Sequence, residues 1–329
     1  MTYGFELFDA AGTKIMDSAM ELPRLVGREV FTWSGGGANQ TVTNANYAGG
    51  FVVHESSIDD NGNNVVTPVL KLSGNELICR PCTSVSAGNP HASIAYPVVT
   101  TCAVYRKDVN PSTTNEHGIR VINDSGVVQI DSVHTNYGLI DSGTVTVPSG
   151  LYAFGAVEVE LPWDLAYAPL IFVKSSNPVA VAFYTYSVVS GKRFAGFWLN
   201  QPGASSIDVD YKVFADARDL PAPAGHGIAV YRSDGTCCFN SNYQPLSTAG
   251  QTSVQPGLPP AGYSSWNHGV ANAYVLANYG FYCTLYSSSA YSMCVYTSGT
   301  VSYFGWAVNG NFWRGVYPEA PTIYPMVIT

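Results

Sequence analysis

Cys79-Arg80-Pro81-Cys82 comes nearest to a chemical motif: two thiols three residues apart match one half of a zinc knuckle. A four-ligand site needs a second pair. The nearest candidates are the isolated His91 and Cys102, so the half-site reads as structural. Asp59-Asp60-Asn61-Gly62-Asn63-Asn64 offers oxygen ligands for calcium, but it lacks the alternate-position ligands and distal glutamate of an EF-hand and reads as a turn. Glu158 and Glu160 would share one face of a strand, as paired carboxylates do in glycosidases; alternation with Val157, Val159 and Leu161 makes a solvated face the default. Six histidines (54, 91, 117, 134, 226, 268) are scattered, and no nucleophile elbow, P-loop, H-E-x-x-H or dinucleotide fingerprint occurs. The expectation is a protein that is not an enzyme, with no catalytic residue, metal or cofactor.

The elements that would position any site are strands. Glycine (32) and proline (20) accompany 46% hydrophobic residues, a mixture of turn formers and strand formers that disfavours helices. Only 12% of residues are charged, against about 25% in an average soluble domain, so much of the surface is neutral-polar or covered by other chains. The net charge of −8 and the absence of a Lys/Arg cluster exclude a nucleic-acid partner. No apolar stretch approaches the ~20 residues of a membrane span and the N-terminus does not read as a signal peptide, which predicts synthesis in a cytoplasm without membrane insertion. Seven cysteines without a secretory signal predict buried free thiols.

The chain repeats itself. YGFELFDAAGTKIMDS from Tyr3, HGIRVINDSGVVQIDS from His117 and HGIAVYRSDGTCCFNS from His226 align without a gap. A leading glycine (Gly4, Gly118, Gly227) is followed eight residues later by a second (Gly12, Gly126, Gly235), and six further on by a serine (Ser18, Ser132, Ser241). Asp17, Asp131 or Asn240 precedes that serine. Apolar alternation before the second glycine and a second short strand after it predict a β-hairpin, with positive φ at the turn. The glycines recur after 114 and 109 residues, the size of an immunoglobulin-like sandwich, and proline-bearing linkers precede the second and third copies. The predicted fold is all-β, with three tandem β-sandwich modules at 1–116, 117–225 and 226–329. Further strands are predicted in the later part of each module, including Leu170–Lys174, Val179–Val189, Arg193–Leu199 and Val301–Val308.

The third module holds 19 of the 42 aromatics but only four charged residues, Arg232, Asp234, Arg314 and Glu319. That composition suits a contact surface. Tyr263, Trp266, Trp306, Trp313 and Tyr317 are the candidate binding residues, either as a receptor- or sugar-facing patch or, the favoured alternative, as core and subunit interface.

The hairpin motif, aromatic-Gly-apolar-x-apolar through Gly to apolar-Asp-Ser directly after Met-Thr, resembles the opening of tail-tip and tail-fibre proteins of tailed bacteriophages. The resemblance covers about 16 residues in each of three places; elsewhere the likeness is one of style, rich in Gly, Asn, Ser and Tyr. It implies a virion protein assembled in the bacterial cytoplasm, oligomeric, with other tail proteins as partners and tail architecture or host attachment as its role. Tyr3 gives way to histidine in the later copies, and no collagen-like or heptad shaft is present, which points to a compact tail-tip or baseplate subunit or a short fibre of beads, as a trimer or other ring. The alternatives are a carbohydrate-binding or adhesin-like protein and, behind it, a glycan-degrading enzyme.

Overall fold

A computed structural model describes residues 6–8, 14–17, 22–33, 39–55, 69–80, 98–107, 120–122, 128–131, 134–148, 157–162, 165–166, 169–185, 193–199, 206–222, 227–254, 263–277, 281–283, 290–308 and 324–329. The protein is all-β and its strands pair antiparallel; among the described residues the only helical element is a 3-10 turn at Ala45–Tyr47. The first repeat supplies β1 (Glu6–Phe8), β2 (Lys14–Asp17), β3 (Arg24–Trp33), β4 (Gln40–Thr43), β5 (Phe51–His54), β6 (Val69–Ser73), β7 (Glu76–Arg80) and β8 (Val98–Arg106). From the second come β9 (Arg120–Ile122), β10 (Val128–Asp131), β11 (Tyr137–Val147), β12 (Val157–Glu160), β13 (Leu170–Lys174), β14 (Val179–Thr185), β15 (Arg193–Leu199) and β16 (Ile207–Asp216). The third gives β17 (Ala229–Tyr231), β18 (Cys237–Asn240), β19 (Gly250–Gln251), β20 (Ser264–Asn267), β21 (Tyr274–Leu276), β22 (Phe281–Cys283), β23 (Ala290–Ser298), β24 (Val301–Val308) and β25 (Met326–Ile328).

Each repeat opens with a two-stranded ribbon. Leu7↔Met16, Val121↔Ile130 and Val230↔Phe239 occupy the same register, and each ribbon has its bulge immediately beside that pair. Gly235 takes φ +83° at its turn, as the motif demands, while a Cβ on Gly227 would fall 2.5 Å from Asn242 Oδ1 and 2.9 Å from Ser241 Oγ. The Ser241 hydroxyl accepts the Ile228 N–H at 2.8 Å, tying the ribbon's two ends. Gly4, Gly12, Ser18, Gly118, Gly126 and Ser132 lie outside the described residues. The inner faces of the three ribbons meet in one cluster of Met16, Leu22, Ile130, Val230 and Phe239, with Leu7 and Val121 against it.

After the ribbon, each repeat lays down two three-stranded arrays with the same connectivity. One array runs β3-β8-β5, β11-β16-β13 or β19-β25-β21; the other runs β4-β7-β6, β12-β15-β14 or β20-β24-β23, with β22 added beside β23. The long strands β3 and β11 share a bulge at the same repeat position, between Leu25 and Gly27 and between Leu139 and Asp141. Both escape sequence reading, because Gly138, Asp141, Ser142 and Gly143 interrupt the apolar pattern of β11 while its pairing to β16 overrides their low strand propensity. Consecutive repeats are linked by one recurring backbone bond: Leu25 N–H donates to Thr135 O at 3.3 Å, and the equivalent Leu139 N–H to Gln244 O at 2.9 Å.

Two of the sheets run across the boundary between the second and third repeats. β13 pairs with β21 (Phe172↔Leu276) and β14 with β23 (Val179↔Val295), so the second and third units merge into one six-stranded and one seven-stranded sheet across the 225/226 boundary. A truncation after Ala224 would cut both sheets. The central strands of the six-stranded sheet are buried on both faces. Ile171, Val173, Val213, Val275 and Val327 face the seven-stranded sheet's core. Leu170, Phe172, Phe214, Leu276, Met326 and Ile328 face a second core, shared with Phe51, Val53, Ala103 and Tyr105 of the first unit. The first unit therefore covers the outer face of the sheet that the other two build together. At its rim the Tyr324 hydroxyl accepts the Leu72 N–H at 2.8 Å and donates to Leu72 O at 3.3 Å, capping β6.

Candidate functional site

The largest constellation of ionisable groups among the described residues lies in the seam between the first unit and the shared sheet. Arg28, on β3, donates from Nε to Glu55 Oε2 at 2.7 Å and from Nη2 to Glu55 Oε1 at 3.0 Å. The same Nη2 reaches the Tyr137 hydroxyl at 2.9 Å and Asp216 Oδ2 at 2.8 Å. Asp216 also accepts both Arg218 Nε at 3.0 Å and Nη2 at 2.7 Å. The Tyr105 hydroxyl donates to Tyr137 at 2.6 Å, and the Tyr137 hydroxyl donates in turn to Glu55 Oε1 at 3.2 Å. Two guanidinium groups thus face two carboxylates, with a tyrosine relay filling the remaining lone pairs.

Burial dominates the electrostatics here. It pushes the Asp216 carboxyl up to about 7 against the pull of Arg28, and raises Glu55 as well. Tyr105 and Tyr137 are raised too, chiefly by the same desolvation, and stay protonated donors. Glu55, Asp216, Tyr105 and Tyr137 are all buried, so the arrangement ties the first unit to the shared sheet through desolvated polar groups. A smaller copy of the idea lies beneath the ribbons. Asp131, the repeated Asp/Asn position, accepts buried Arg24 of the preceding unit at 2.8 Å, and its equivalent Asn240 donates to Pro221 O of its preceding unit at 3.1 Å.

Of the five candidate aromatics, Tyr263 and Trp266 are the two whose side chains are described. Tyr263 and Trp266 are three residues apart on an extended strand and therefore point to opposite sides. Trp266 packs on the core between the sheets. Tyr263 lies on the outer face, its ring where a Cβ on Gly305 would approach within 2.5 Å, and meets Tyr296 edge-on at 5.3 Å; Tyr296 in turn stacks on Tyr303 at 4.5 Å. Tyr263 is 36% exposed, with Ser265 and Asn267 exposed alongside. Trp306 belongs to β24, and Trp313 and Tyr317 lie outside the described residues.

Other chemistry-bearing pairs read as structural. Ser302 Oγ lies 3.0 Å from His268 Nε2, the spacing of a nucleophile and its base. His268 Nδ1, however, accepts the Val270 N–H at 3.2 Å, which places the ring proton on Nε2 and makes the histidine a donor to the serine. Cys79 and Cys102 are free thiols buried in the first unit's core, and burial raises both. Cys82, His91 and Asp59–Asn64 lie outside the described residues. Glu160 is exposed at the edge strand β12. Among the described residues no three His, Cys, Asp or Glu side chains converge as metal ligands, and no helix is long and apolar enough to cross a membrane.

No family model matches the chain, and neither a curated protein nor a solved structure is similar to it by comparison.

Proposed function

We propose that the protein is a structural component of a bacteriophage tail, a tail-tip, baseplate or short-fibre subunit with a share in host attachment, and not an enzyme. In this reading it is a threefold internal repeat synthesised in the bacterial cytoplasm, incorporated in the virion as a homo-oligomer, trimer favoured, and partnered by other tail proteins. One observation carries most weight: the repeated motif that resembles tail proteins folds into the same ribbon wherever it is described, and all three ribbons pack in a single cluster. Repetition of a packing element, beside a polar constellation sealed inside a seam, suits building material. The test is mass spectrometry and immuno-electron microscopy on purified particles. Label at the tail supports the reading; particles with complete tails that lack the chain overturn it.

The second reading is a carbohydrate-binding or adhesin-like protein. Tyr263 favours it, since its ring packs beside Gly305 yet stays 36% exposed, at the head of a strand whose alternate residues Ser265 and Asn267 are exposed neutral groups suited to a sugar. Binding of purified protein to host polysaccharide that is lost in Tyr263→Ala would select this reading.

A further inference from the structure

The outward face of the second three-stranded array changes character in the third unit. Its register sets Ser265, Tyr303 and Tyr296 in one row across β20, β24 and β23, with Asn267 two residues on from Ser265. Tyr263, one residue before β20, lies over Gly305 in the row above. All of them alternate with Trp266, Val295 and Phe304, which face the core. The corresponding faces of the other units carry charge, Lys71 and Glu76 in the first and Glu160 in the second. In the third there is none to carry, because the sequence has no Asp, Glu, Lys or Arg between Asp234 and Arg314.

Gly305 lets the Tyr263 ring lie down on the sheet. A Cβ at that glycine would sit 2.5 Å from Cδ1 of the ring and 2.8 and 2.9 Å from the two atoms bonded to it, Cγ and Cε1. Distances so nearly equal fit a ring that covers the glycine with its face; an edge-on approach would leave the two neighbours much farther off than the nearest atom. With the inner face on Gly305, the exposed part of Tyr263 is the outward side and the rim. Tyr296 meets this ring at 81°, and Tyr303 stacks on Tyr296 at 7°. A flat floor thus adjoins an upright, half-buried pair, with exposed Ser265 and Asn267 alongside.

The chemistry of this corner selects its occupant. The negative face of an aromatic ring attracts the C–H bonds of a pyranose, while hydroxyl and amide groups exchange hydrogen bonds with its hydroxyls. The face has no charge with which to recruit a phosphate, a uronate or a basic peptide. Two strand spacings measure about 10 Å, the reach of a disaccharide, and the footprint falls far short of the ~800 Å² that each partner buries in a stable protein interface. We propose that Tyr263, seated on Gly305 beside Tyr296 and Tyr303, is the stacking platform for an uncharged pyranose of a polysaccharide. This rests on the carbohydrate-binding reading and adds to it the class of sugar and the glycine that seats the ring.

Isothermal titration of the full chain with uncharged gluco- and galacto-configured hexasaccharides, beside a uronic-acid chain of the same length, tests the proposal. At least one uncharged chain should bind, and the uronate at least about tenfold more weakly. Tyr263→Ala and Gly305→Ala should each weaken binding at least about tenfold, the second because its added methyl group lifts a ring that is still present. Tyr263→Phe keeps the stacking face and should stay within about threefold, and Val30→Ser, at an exposed position on β3, should change nothing. Near-UV circular dichroism checks that Gly305→Ala folds; the exposed Tyr263 decides the matter if it does not. Binding that persists in Tyr263→Ala overturns the site and leaves the carbohydrate-binding reading standing, and binding of the uronate alone overturns the sugar class. No binding of any saccharide, host polysaccharide included, removes both. A dimer that Tyr263→Ala disperses would show the face covered by protein and overturn the proposal as well.

Discussion

At the junction of the second and third units, β13 and β21 continue one another's sheet through main-chain hydrogen bonds, whereas the first unit lies face to face on that sheet and is fastened by Arg28, Glu55, Asp216 and two tyrosines. The repeated unit is the same, yet its two junctions use different physics. Edge pairing depends on backbone groups that every residue carries, so the third unit can be poor in charge and still be held. Face packing of two apolar sheets has no intrinsic register. A buried guanidinium that must lie between two carboxylates supplies one, at a desolvation cost that apolar side chains would avoid.

The strongest way to break this contrast is at the shared sheet. Phe172 is fully buried, pairs with Leu276 at the junction and meets Phe214 edge-on at 5.6 Å. Phe172→Ala should cost about 3–5 kcal/mol in urea unfolding, with the second and third units lost together. Should the loss stay below about 1 kcal/mol, the junction rests on its backbone bonds alone. Arg28→Met comes next, at about 3 kcal/mol, because it leaves Glu55 and Asp216 buried with one guanidinium fewer. Limited proteolysis should then release the first unit while the shared sheets resist; simultaneous cleavage of both would erase the distinction between the junctions.

Two smaller effects sharpen it. Tyr137→Phe removes the hydroxyl that accepts from Tyr105 and Arg28 and donates to Glu55, and should cost about 1–2 kcal/mol, with Tyr105→Phe in the same background adding little. The seam should also respond to pH. With its folded value raised to about 7, the Asp216 carboxyl binds a proton more tightly folded than unfolded, so its stabilisation is complete below about 4 and lost as pH rises through 7. Glu55 shifts in the same direction. Stability should fall by about 1 kcal/mol between roughly pH 6 and 7.5, and Asp216→Asn should flatten that slope. A slope that persists unchanged in the variant would move the titration elsewhere.

The ribbons were legible because everything that makes them is local: alternation, a turn glycine and a closing serine within sixteen residues. Leu170–Lys174, Arg193–Leu199 and Val301–Val308 were equally plain, being apolar runs between turn residues. The merging of the second and third units was not, since nothing in β13 or β21 marks which neighbour its edge will find. The seam was hidden by distance, with Arg28 and Asp216 188 residues apart in sequence. Nor did either stand out locally, since β3 also carries Arg24 and Glu29 and β16 also carries Asp208, Asp210 and Lys212. The division of Tyr263 from Trp266 was readable, since an odd spacing along a strand separates two side chains.

Tyr324 has a consequence of its own. β14 and β23, its counterparts in the other units, reach for one another, and a strand that offers its flank in this way could equally recruit a stranger. On β6 a single phenol occupies both main-chain groups of Leu72, so lateral growth of the first unit halts at a side chain. The main-chain pairing that fuses the second and third units is thus denied to the first at this point of its edge.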